Sequence, residues 1–107
     1  MMVTMKLVGN VIVCDDKSSV GIINPNTMEK MHSIPNPTEG CYLYSAFKNE
    51  QTKTLYLAYD NKQMIGYDTD YYTKKQYTVY PNCVLQITEF HADPQNYLIL
   101  VCEKGLI

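Results

Sequence analysis

The chain contains no arginine and no tryptophan. All nine of its basic residues are lysine, set against eleven acidic residues for a formal charge of −2. Arginine supplies the planar fork that clamps phosphate and reads guanine, so its absence from an acidic chain excludes a general nucleic-acid binder. Glycine is scarce, with five in 107 residues. No G-x-S-x-G, Walker or Rossmann pattern occurs, which excludes the usual phosphate cradles and nucleophile elbows. Cys14, Cys41, Cys83 and Cys102 are far apart with no C-x-x-C pair, the distribution of buried thiols rather than of a metal site or a redox centre. No apolar run approaches the ~18 residues that span a bilayer. The start, "MMVTMKLVGN", lacks the apolar core of a signal peptide. The expected setting is therefore cytoplasmic, with no membrane partner.

Strand-forming residues are plentiful. Ten tyrosines and many Val, Ile and Thr occupy alternating segments, which favours strands over helices. "LYLAYDNKQMIGYDTD" (55–70) has an alternating apolar run, an Asp-Asn-Lys turn and a second apolar run, the pattern of a β-hairpin. "VIVCDDKSSVGIIN" (11–24) lies over 55–68 without a gap at an offset of 44. Beyond it, Thr27 matches Thr73 at an offset of 46, which makes the second turn two residues longer. Pro35-Asn36 and Pro81-Asn82 share that offset after a polar fourth strand. A third copy begins with Phe47 on Phe90 and Leu55 on Leu98, an offset of 43. Four short strands per ~43–46 residues is the period of a β-propeller blade. The expected fold is all-β, a partial β-propeller of antiparallel four-stranded blades, with blades at about 2–34, 41–80 and 83–107, the last incomplete. Leu57 and Leu100 should be buried in equivalent second strands.

With its acidic turns followed by "QMIGYDTD" and "SSVGIINPNT", and with "ITEFHADPQNYLILVCEKGLI", the chain resembles the WD40 repeat family over nearly its whole length. Tyr67-Asp68 stands in the place of the Trp-Asp dipeptide, and Ile23-Asn24 is a more divergent copy; neither join carries the family's Gly-His. The resemblance implies a non-enzymatic scaffold that presents a rim of strand-two/strand-three turns and inter-blade connections to other proteins. That rim would contain Asp15, Lys17, Tyr59, Asn61, Lys62, Glu103 and Lys104, with Tyr42 and Tyr44 on the innermost strand of the second blade. Asp16, Asp60 and Glu103 are expected to build the turns. The segment 55–79 also resembles the repeat of quinoprotein-type and secreted propellers, which would imply cofactor-linked chemistry housed in other blades.

No cofactor and no metal are expected. The "DTD" of 68–70 is followed by Tyr71 and Tyr72 rather than by further oxygen ligands. His32 and His91 occupy different repeat positions, solvent-facing and in a turn. A closed ring takes about four to eight blades, so two and a half leave apolar faces bare. The remaining blades are expected in cis from a longer chain, or from a ring-completing second chain.

Overall fold

The computed structural model describes residues 4–16, 18–81, 83–92, 95–102 and 105–106. Its strands form three antiparallel sheets, and no helix occurs among the described residues. The first sheet is built in chain order from β1 (Thr4–Val8), β2 (Val11–Asp16), β3 (Ser19–Ile23) and β4 (Lys30–Pro35). The second follows the same plan with β5 (Leu43–Asn49), β6 (Thr54–Tyr59), β7 (Gln63–Asp68) and β8 (Lys74–Val79). The third contains β9 (Val84–Ala92), β10 (Gln95–Cys102) and the short β11 (Gly105–Leu106). The first strands of neighbouring sheets lie side by side, β1 against β5 and β5 against β9. This is a partial β-propeller of four-stranded antiparallel blades.

The period-two alternation of a strand explains why the middle blade is buried on both faces. Leu55, Leu57 and Tyr59 on β6, with Ile65 and Tyr67 on β7, join Val13, Val20 and Ile22 of the first blade in one core. The intervening Tyr56, Ala58 and Met64 turn the other way, onto Val84, Ile87, Leu100 and Cys102 of the third. Every residue of β6 is buried, while β4 is exposed at all positions but Ile34. Fully burying a leucine of this kind is worth roughly 1.5–3 kcal/mol, so β6 is the main anchor of the stack. Tyr67 is buried in the third strand. No disulfide links the cysteines; Cys41 and Cys102 are buried in these interfaces, where they act as small apolar groups.

The register corrects two sequence alignments. The N–H of Asn24 donates to the Glu29 carbonyl (2.9 Å) and that of Met28 to the Asn24 carbonyl (2.7 Å). Asp68, Thr73 and Tyr72 repeat this pattern at 2.8 and 2.6 Å. Met28 and Tyr72 share the left-handed conformation, with φ of 61° and 56°. The two loops are therefore of equal length, and the offset stays at 44 rather than rising to 46. It holds beyond β8, because Asn36 N–H to the Ser18 carbonyl corresponds to Tyr80 N–H to the Lys62 carbonyl, each 2.9 Å. Pro81 thus corresponds to Pro37, and the connection from Pro37 to β5 is three residues longer than that from Pro81 to β9. Matching threonine letters suggested otherwise, but backbone hydrogen bonds determine the loop.

In the third blade, Ile87 opposes Leu100 as Ala46 opposes Leu57. The second strands are offset by 43 and the first strands by 41. Phe90 is consequently not the counterpart of Phe47, and the β9–β10 connection is two residues shorter than β5–β6.

Turn chemistry completes the blades. Gly9 (φ 59°) occupies the first central position of the β1–β2 turn, the place a type II′ hairpin reserves for glycine. A Cβ there would come within 2.9 Å of Glu50 and 3.0 Å of Lys48 in the next blade. Across the same gap Lys48 Nζ donates to Asn10 Oδ1 at 2.7 Å. In the β6–β7 turn it is Lys62 that is left-handed (φ 72°), its N–H donating to the Tyr59 carbonyl at 3.3 Å. A lysine Cβ is strained there, so Lys62→Gly should raise stability by about 1 kcal/mol. The check is a higher urea midpoint at unchanged slope; a lower midpoint would refute the turn geometry.

Candidate functional site

The rim residues divide into those that hold the blades together and those that face outward. Asp15 ends the inward face of β2 and is 2% exposed. Its Oδ2 accepts the N–H of Leu43 at 3.0 Å, tying the first blade to the first strand of the second. Tyr59 is 0% exposed, and no hydrogen-bond partner reaches its hydroxyl among the described residues. Burial, reinforced by Tyr67, Cys41 and Asp15 close by, pushes that phenol far above its ordinary range. Neither side chain is available as a surface contact, contrary to the sequence expectation. Their strand parity puts them on the packed face rather than in the turn.

The sequence predicts that Asp60 braces its own turn, but the bond its side chain makes reaches the chain entering β5 instead. Its Oδ1 accepts the Tyr42 N–H at 2.9 Å, and its own N–H donates to the Tyr42 carbonyl at 2.8 Å. Cys83 Sγ donates to the Asp60 carbonyl at 3.0 Å, bringing the start of the third blade to the same turn. Asn61 is half-buried; its Oδ1 accepts the Gln63 N–H at 3.3 Å and its Nδ2 donates to Gln63 Oε1 at 2.9 Å. Lys62 is exposed at the tip. Tyr42 and Tyr44 are 40% and 50% exposed, and the Tyr42 backbone is bonded to Asp60 of the same turn. Tyr44 is the unpaired residue of a bulge between Leu43 and Ser45, a device that re-aims a side chain away from the ladder. Lys17, Glu103 and Lys104 lie outside the described residues.

A second feature lies between the outer strands. A cleft of about 450 Å³ separates β4 of the first blade from β7 and the β7–β8 loop of the second. Its floor is Ile34 and Ile65. His32 and Tyr72 close one side, their rings 4.3 Å apart at 36°. Tyr71 and Lys74 border it, and Pro35 and Pro37 form one end. The loop is held by Asp68, whose Oδ2 accepts the Tyr71 N–H at 3.1 Å, while Asp70 pairs with Lys53 at 3.8 Å. The Asp-Thr-Asp segment is thus a loop closure. Sequence reasoning missed the cleft because His32 and Tyr72 are brought together only by blade stacking.

The blade plan and the stacking are those of a WD40-like propeller. The crystal structure of Saccharomyces cerevisiae Sqt1, a WD40 protein, superposes with a TM-score of 0.72 at 18% identity. The match covers 91% of this chain and 27% of the Sqt1 chain. No protein-family model matches the chain, and no curated protein sequence matches it. At this identity the likeness concerns the fold.

Proposed function

We propose that the chain belongs to the WD40 repeat class and is a non-enzymatic protein-interaction scaffold working in the cytoplasm, its rim contacting other proteins. The observation that carries this reading is the division of labour at the rim. Asp15, Asp60 and Asn61 are engaged in holding backbone and turn, which leaves Tyr42, Tyr44 and Lys62 as the outward chemistry. Exposed tyrosines together with a cationic turn suit protein contact, because a tyrosine adds large contact area and one polar handle at low entropic cost. Lys17, Glu103 and Lys104 belong to the same proposed surface.

Further blades are part of the proposal. On the outer face of the first blade, Met5 and Leu7 are 56% and 64% exposed, and their cross-strand neighbours Cys14 and Ile12 are half-buried. Such a face resembles the one the second blade buries, and another blade of the same plan, in cis or from a ring-completing chain, would cover it.

A photo-crosslinking amino acid at position 44, compared with one at position 28 on the β3–β4 loop, tests the rim in cells. Protein adducts should form from position 44 and be rare from position 28. Equal yields from both would refute the rim as the contact surface.

A further inference from the structure

The cleft between the blades carries a chemistry distinct from that of the rim. We infer that it is a second binding site, for an extended peptide segment that bears a carboxylate beside apolar residues. Its lining includes Lys74 and His32 and no acidic residue. The nearby carboxylates are engaged elsewhere, Asp68 with the Tyr71 N–H and Asp70 with Lys53. Lys74 makes no ion pair among the described residues, its Nζ lying 5.9 Å from the centroid of the Tyr77 ring. Aromatic walls with an unpaired ammonium group at the border fit an anionic side chain flanked by apolar surface. A cationic ligand, which stacked aromatics would otherwise favour, would meet Lys74.

The sheet supplies the extended partner. β4 is the edge of its blade, and Lys30 to Ser33 are exposed along it. An edge strand offers a row of backbone donors and acceptors to an incoming strand, with alternate side chains reaching the adjacent pocket. Pro35 ends that edge and has no backbone N–H to offer, which limits the docked length to a few residues.

Tyr71 gives independent weight. It is 79% exposed, so the fold gains little from an aromatic ring there. The matching loop of the first blade has the same backbone but Thr27 and Met28 at these positions. The aromatic pair belongs to this cleft, not to the loop architecture.

The test is selection of linear seven-residue peptides from a display library on the full chain, followed by fluorescence anisotropy with a synthetic copy of the selected sequence. Selected peptides should carry Asp or Glu beside Pro or an aliphatic residue. Amidating that carboxylate, or making Lys74→Ala in the protein, should each weaken binding roughly tenfold, and the two together little more than either alone. Tyr71→Ala should weaken binding and Tyr71→Phe largely retain it, both variants being surface changes that leave the fold intact; Glu50→Gln in the β5–β6 turn, outside the cleft lining, is the control. Failure to select any peptide, enrichment without carboxylates, or affinities unmoved by Lys74→Ala would each overturn the inference. Binding lost in Lys62→Glu but kept in the cleft variants would assign the peptides to the rim, refuting the cleft site while leaving the rim reading intact.

Discussion

Leu57→Ala should lower the unfolding free energy by about 2–5 kcal/mol. Leu57 is 0% exposed and lies in a strand buried at every position. It is flanked by Ala46 on β5 and Ile65 on β7, and it joins Val13, Val20 and Ile22 in the core between the first two blades. Shortening the side chain removes apolar contact and leaves a cavity. The sheets on either side are braced by hydrogen-bonded ladders and cannot collapse freely into the gap, which favours the upper half of the range. Urea denaturation followed by circular dichroism measures the effect. Leu7→Ala, on a side chain 64% exposed, should change stability by no more than about 0.5 kcal/mol. Equal effects at the two positions would refute the packing of the second blade against the first.

The contrast between Leu57 and Leu7 also shows what can be read from residue order. Alternation in "LYLAY" and "MIGY" places β6 and β7 correctly, because the pleat makes every second side chain share a face. Asp15 and Tyr59 adjoin the turns, and that position alone suggests the rim. The alternation of the strands instead places Asp15 with Val13, and Tyr59 with Leu57, on the buried face. The repeat alignment differs for another reason. Thr27 with Thr73 and Phe47 with Phe90 are identity matches, whereas register is dictated by main-chain hydrogen bonds and by the lengths of turns. The cleft was illegible for a third reason: His32 stacks on Tyr72 only after two complete blades have formed and packed. Local pattern carries strand parity; contacts between blades arise from the assembled stack.

That stack should fail in alkali, and Tyr59 should be the main cause. Burial raises the phenol of Tyr59 far above its ordinary value of 10.0, and burial also raises Tyr67, Tyr72 and Tyr80. Burial likewise raises the Cys41 thiol above 9.0, a shift opposed by the Thr38 backbone and aided by Asp60 and Asp15. In each case the folded state keeps a proton that the unfolded chain releases. Above the unfolded pKa the unfolded state binds fewer protons, so stability falls as pH rises. The loss should begin near pH 9 with Cys41 and steepen above pH 10 with the tyrosines. For a single fully coupled group the slope is about 1.4 kcal/mol per pH unit. Tyr59→Phe should remove much of the steep limb. It should also leave stability at neutral pH unchanged or up to about 1 kcal/mol higher, because the deleted hydroxyl is buried without a partner among the described residues. Urea midpoints across the alkaline range, read with tyrosinate absorbance, measure both effects. Ionisation of Tyr59 near pH 10 without unfolding would show that the phenol is open to water. A Tyr59→Phe curve that overlays the parent would show that the core between the first two blades does not govern the alkaline limit.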